Sequence, residues 1–402
     1  MRIPETLAQS PHAPASSDNQ ELQATMSRRE TLTPSRRGIR LPSIDSQTHA
    51  EHPVSGRGDG ARSSSFIRVN EHQEQARVKD GRNQRGRTPH PMIFGLGILL
   101  VIGLLGLSLA TGEYSILSRE DGWKMFQTVR IPRTIALVLS GAAMAMSGLV
   151  MQMVTRNRFV EPTTTGTTEW AGLGLLVCLV LWPHSSILVR MSVAVIFAFV
   201  GTGIFFALLQ RVSLRSSLIV PIMGIMLGSV VSAISTFFAL KTNALQSLGI
   251  WFQGSFTSVY AGQYEVLWFV LVVVVLVFLL ANHLTVVGLG QDVATNVGLN
   301  YRQMMLAAMA LIAVATGVVT VVVGSLPFLG LIVPNLVSLI MGDNLRTNLP
   351  WVCLAGIALV TACDLVARTL ISPFEIPVAV ILGMIGAIVF LVLIIRRAGA
   401  GA

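Results

Sequence analysis

From Met92 to the C-terminus, apolar stretches of about 20 residues follow one another with only short polar pieces between them. A helix that crosses the hydrocarbon core needs about that many largely apolar residues at ~1.5 Å rise each. Such spans are read at 92–111, 134–154, 163–182, 187–209, 218–240, 263–282, 304–323, 350–371 and 376–395, with a shorter piece at 328–341. In lipid a spanning backbone must satisfy its own polar groups, so spans of this length are helices. The expectation is an all-α, polytopic membrane protein with about ten transmembrane helices. Ten is even, so both termini share a side.

Charge supports this reading. Only 12% of the 402 residues are charged, about half the ~25% of a soluble domain. Residues 1–91 hold 14 Lys/Arg and 10 Asp/Glu, so 24 of the 49 charges sit in this one segment. It is rich in Ser, Arg, Gln, Pro and Gly, and its scattered apolar residues show no period. Such a segment cannot bury enough surface to offset its chain entropy. The chain therefore divides into a disordered, basic, polar tail (1–91) and a transmembrane domain (92–402). The tail has no apolar run after Arg2 and is not a signal peptide. It reads as an inert extension, as residues upstream of a later start at Met26 or Met92, or as a segment that binds anionic lipid or a partner.

The tail's basic residues and the closing Arg396-Arg397 place both termini in the cytoplasm. The loops add no bias, with eight basic residues inside and seven outside. Four of the outer seven (Arg119, Lys124, Arg130 and Arg133) crowd into one segment. The net charge of +9 is not a nucleic-acid signature, because no basic stripe alternates with aromatics. Cys178, Cys353 and Cys363 lie inside apolar runs without metal-ligand spacing and behave as small hydrophobes.

Absent motifs narrow the function. No G-x-x-x-x-G-K-[ST] holds any of the three lysines, so this chain does not itself hydrolyse ATP. Also missing are H-E-x-x-H, G-x-S-x-G and His/Cys clusters at metal spacing. Nothing calls for a cofactor, a resident metal or a catalytic residue.

Three stretches are too polar or too rich in Gly and Pro for plain linkers. One runs from Val129-Arg130-Ile131-Pro132-Arg133-Thr134 through Gln152 to Thr155-Arg156-Asn157-Arg158-Phe159-Val160-Glu161-Pro162. A second is 288–300, GLGQDVATNVGLN. The third is Gly324-Ser325-Leu326-Pro327-Phe328-Leu329-Gly330-Leu331-Ile332-Val333-Pro334-Asn335. Two prolines break any continuous helix there. Broken backbone at membrane depth is tolerated only inside protein or along a cavity.

In this order and spacing the stretches resemble the permease subunit of the iron-chelate and cobalamin uptake ABC transporters, the FecCD-type family. Ala362-Cys363-Asp364-Leu365-Val366-Ala367-Arg368 and Glu375-Ile376-Pro377 continue the likeness over roughly 92–397. Cys363, Asn335 and Gln291 depart from the family's commoner Ala, His and acidic residue. Thr167-Thr168-Glu169-Trp170-Ala171 replaces its small Ser-Gly-Ala run, a variation similar to a subgroup associated with catechol-type siderophores.

The resemblance implies an inner-membrane permease for a ferric siderophore, with no bond chemistry of its own. Its partners would be ATP-binding ABC subunits, an extracytoplasmic siderophore-binding protein, a second permease subunit and membrane lipid. Arg130, Arg133 and Arg368 would meet acidic side chains of the binding protein. The residues alone allow snorkelling to headgroups, or an i,i+4 pair of Arg368 with Asp364. Gly290, Asp292, Ala294, Gly298 and Leu299 would form the loop that couples to the ATPase. Glu169, Pro334 and Asn335 are assigned to the translocation path. For Glu169, pairing with Arg156 or Arg158 and an interfacial place near a helix N-terminus stay open. The rival class is an ion-coupled secondary transporter of a small metabolite, which also uses broken helices. It predicts inverted repeats and buried ion ligands, and the sequence shows neither. An intramembrane enzyme predicts paired catalytic groups, equally missing.

Overall fold

A computed structural model describes residues 91–112, 122–211, 218–342, 344–371 and 374–400. The tail expected to be disordered, and Arg119, lie outside the described residues. The helices are α1 (Pro91–Ala110), α2 (Gly122–Val154), α3 (Thr167–Leu181), α4 (Ile187–Leu209), α5 (Ile219–Lys241), α6 (Leu245–Phe252) and α7 (Tyr264–Leu289). There follow α8 (Gln291–Asn296), α9 (Tyr301–Val322), α10 (Leu329–Met341), α11 (Leu345–Thr369) and α12 (Val378–Ala400). An isolated bridge, Ile371 to Phe374, is the extent of β pairing among the described residues.

Eight helices are long and apolar enough to cross a membrane, and α3 and α10 are shorter apolar helices of 15 and 13 residues. At ~1.5 Å per residue these two reach only about 20 Å, so irregular backbone must complete their passage. Together they make the ten passes read from the sequence.

Two boundaries differ most from expectation. Helix α2 starts at Gly122 rather than 134, with a π-helical turn over Phe126–Arg130. Its arginines do not end the span, because protein groups rather than lipid receive them. Helix α7 continues to Leu289 rather than 282, since Thr285 returns its hydroxyl to Ala281 O (2.7 Å) and leaves the helix intact.

Burial sets the layering. Of the apolar windows, 78% of α2 and 72% of α9 are buried, against 11% of α1 and 22% of α12. The first two therefore form the centre, and the last two carry apolar side chains outward. Lipid supplies no hydrophobic drive between helices, so close packing of small residues must hold them. Helix α2 supplies these residues on two faces. A Cβ on Gly141 would lie 3.0 Å from Gly356 O of α11, and one on Gly330 of α10 would lie 2.8 Å from Gly148 Cα.

Candidate functional site

The third polar stretch is the break between α9 and α10. The backbone leaves the helix after Val322 and turns through Gly324 (φ +95°) and Phe328 (φ +62°), a left-handed conformation unusual for Phe. Inside α10, Pro334 has no N–H to give the carbonyl four residues back, that of Gly330. Gln152 of α2 fills the gap, its Nε2 donating to Gly330 O at 3.0 Å. Asn335 Nδ2 donates to Leu331 O (2.7 Å) and to Arg158 O (2.8 Å), tying α10 to the loop after α2.

Glu161, quoted in the sequence but given no role there, closes the other end of this break. Its Oε1 accepts from Phe328 N at 2.7 Å and from the Thr163 hydroxyl. The carboxyl thus sits at the N-terminus of α10, where negative charge is favoured. The signal was the adjacent proline: an acid held before a helix-breaking loop needs donors, and the start of a half-helix has them.

Pro334 and Asn335 line a cavity of about 320 Å³ with Gln152, Arg156, Arg158 and Asn348, among apolar side chains such as Leu149 and Leu345. Against its rim lies the second polar stretch. Gly290 (φ +121°) opens α8, and its Cα packs so close to the Arg156 guanidinium that a side chain there would collide. Helix α8 ends in a Schellman motif: Leu299 N donates to Ala294 O and Gly298 N to Thr295 O, both at 2.9 Å. Gly298 has φ +84° and open space around it, so conformation rather than crowding calls for glycine. Ala294 is buried, while Asp292, in the first turn, Val293 and Val297 face outward. All five loop residues singled out in the sequence therefore fall in one compact unit.

Glu169 is elsewhere. It stands in the first turn of α3 beside a different cavity, lined mainly by α5, that includes neither Arg156 nor Arg158. Of the three residues assigned to the path, the structure brings Pro334 and Asn335 together and leaves Glu169 apart.

The arginines lie at the opposite end of the molecule, and two of them make ion pairs within the chain. Arg133 Nη2 is 2.7 Å from Asp364 Oδ1, and its Nη1 and Nη2 each lie 3.0 Å from Glu375. Arg368 Nη2 is 2.9 Å from Asp364 Oδ2, the i,i+4 pair that the spacing allowed. Its guanidinium also donates to Ser108 O, Thr111 O and Ser108 Oγ. Asp364 is fully buried, and both arginine side chains nearly so. Both guanidiniums are therefore engaged by carboxylates of this chain. Arg130 is half-buried and donates to Leu109 O at 3.0 Å. Glu375 is the outermost member. Burial raises it, but hydrogen bonds from Arg133 and Thr257, together with the two guanidinium charges, outweigh that and hold it below the usual carboxylate range. The cluster ties the ends of α1 and α11 and the Arg133 turn of α2 to the segment before α12.

A model of the FecCD transport family matches residues 92–396. The chain belongs to that family. The chain is 54% identical over 307 residues to the petrobactin import system permease protein FatD of Bacillus anthracis, covering 76% of this chain and 91% of that one. To the ferric-anguibactin transport system permease protein FatD of Vibrio anguillarum it is 38% identical, covering 75% of this chain and 98% of that one. A solved metal-chelate type ABC transporter in an inward-facing conformation superposes with a TM-score of 0.66 at 25% identity, covering 76% of this chain and all of that one. As a FecCD family member the chain is a multi-pass membrane permease, a transport subunit. The break at 323–328, the α8 motif and the arginine cluster all fall inside the matched region.

Proposed function

We propose that this FecCD permease carries a ferric siderophore, catechol-type among the classes considered, across the cytoplasmic membrane. It works with a second permease subunit, two ATP-binding subunits and an extracytoplasmic binding protein, with both termini in the cytoplasm. The observation that carries this is the 54% identity to a petrobactin import permease over 91% of that protein's length. The permease supplies a path with two exclusive openings, and ATP binding elsewhere selects between them.

In this reading Asp292 and Val293 of α8, with Val297 just after it, enter a groove on the ATPase, while Gly290 and Gly298 fix the turns on either side. The buried Ala294 and half-buried Leu299 anchor the motif, and Arg156 against Gly290 links it to the cavity at Pro334 and Asn335. At the other end Lys124 and Arg130 offer charge to the binding protein, steering encounter more than adding affinity. Arg133 and Arg368 hold the rim beneath them.

The test is the pair Gly298→Val and Asp292→Arg. A β-branched residue in the left-handed region costs about 1–2 kcal/mol and unmakes the Schellman turn. Both variants insert normally and still dock the binding protein. Co-purification of the ATPase, or hydrolysis stimulated by the binding protein, falls roughly tenfold, as 1.4 kcal/mol of lost contact implies. Parent-like behaviour of both, with normal uptake, removes α8 from the coupling role.

A further inference from the structure

The cavity beside Glu169 has a chemical bias that membership of the family does not supply. Its volume is about 710 Å³, and its polar lining is Thr163, Glu169, Ser229, Ser232 and Thr236. Three of the four hydroxyls spend their hydrogens inside the protein. Ser229 donates to Ile225 O and Thr236 to Ser232 O, each at 2.8 Å, and Thr163 donates to Glu161. Their oxygens therefore meet the cavity as acceptors. Glu169 adds a carboxyl whose Oε2 is buried and has no hydrogen-bond partner. Gly228 makes room for it: a Cβ there would lie 3.4 Å from both Cδ and Oε2. Among the described residues no arginine or lysine lines the cavity, and the nearby Lys241 lies over the Phe237 ring, 5.9 Å from its centroid. Between apolar walls from Ile225, Ala233, Phe237 and Leu240, three acceptor hydroxyls and a buried carboxyl face the cavity with the Ser232 hydroxyl as the one side-chain donor among its lining residues, and buried polar groups are seldom left without partners.

We infer that this cavity is a donor-selective station on the translocation path, taking the ammonium or N–H-bearing face of a chelate and disfavouring a carboxylate-rimmed one. The inference rests on the permease reading and adds the ligand class. Its sequence basis is local to this chain. Glu169 stands where the family pattern has small residues, and Ser229, Ser232 and Thr236 recur at i, i+3 and i+7 along α5.

The probe is a cysteine at the exposed Ser232. Ser232→Cys is made with half-buried Cys353 changed to alanine and buried Cys178 and Cys363 retained. In the reconstituted transporter at about pH 8, the thiol reacts with a trimethylammonium methanethiosulfonate, its sulfonate counterpart and the small neutral methyl reagent. With Glu169 in place the cationic reagent outruns the anionic one, and Glu169→Gln shrinks that ratio roughly tenfold, as a nearby charge acting oppositely on the two reagents requires. Glu169→Asp restores the preference. The neutral reagent reacts equally in all three, showing the cavity intact. An unchanged ratio in Glu169→Gln overturns the donor-selective assignment and leaves the permease reading standing. Failure of every reagent, in a transporter that still takes up ferric chelate, removes this face of α5 from the path altogether.

Discussion

Replacing Asp364 with alanine is expected to cost about 3–5 kcal/mol, the range for breaking a buried ion pair by removing one partner. Asp364 is fully buried and stands between two guanidinium groups, 2.7 Å from Arg133 and 2.9 Å from Arg368. Without it Arg133 keeps Glu375 and Arg368 keeps the α1 carbonyls, but the cluster changes from neutral to a net positive charge inside protein. The melting midpoint of the detergent-solubilised chain should fall by several degrees, and the purified yield with it. Converting Asp364 and Arg368 together to leucine removes a charge of each sign and should recover much of the loss. If Asp364→Ala melts with the parent, the cluster is not a structural clamp.

The second large effect is expected where α2 crosses α10. A side chain on Gly148 would enter the space held by Gly330 O and Cα, backbone atoms that cannot rotate aside. Gly148→Leu must therefore separate the two helices, at a cost of about 3 kcal/mol or more. The same movement breaks the Gln152 to Gly330 hydrogen bond that replaces the one Pro334 removes. Gly103→Leu is the control, because a Cβ at Gly103 on α1 meets nothing within 4 Å. The expected result is a chain that fails to accumulate, or melts early, with leucine at 148 and behaves like the parent with leucine at 103. Equal tolerance of both would mean that this crossing yields easily.

How much was legible in the sequence depends on which partner a residue meets. Span number followed from apolar length alone, and the irregular stretch before α10 from Pro327 and Pro334. The left-handed turn at Gly298 was readable because glycine flanks a short polar helix, and its hydrogen bonds are all local. Arg133 was not readable in the same way. Its partners, Asp364 and Glu375, stand more than 230 positions away, so its local sequence could not distinguish a docking cation from a buried one. Arg368 could be read in part, since one of its partners is four residues distant. Glu161 was passed over because its donors come from a half-helix far along the chain, and Gln152 because its acceptor exists only where Pro334 has freed it. The separation of Glu169 from Asn335 is likewise tertiary: one faces α5, the other the loop after α2.

The central claim is that this chain moves its chelate only when a partner hydrolyses ATP. The direct measurement is uptake of iron-55-labelled ferric siderophore into proteoliposomes holding this permease with its ATPase and binding protein. One set carries active ATPase, one carries ATPase lacking its phosphate-loop lysine, and each is run with and without ionophores that collapse proton and sodium gradients. Uptake is expected with active ATPase alone and is expected to be indifferent to the ionophores. Uptake that persists with the inactive ATPase and vanishes with the gradients would contradict the account and identify an ion-coupled carrier instead.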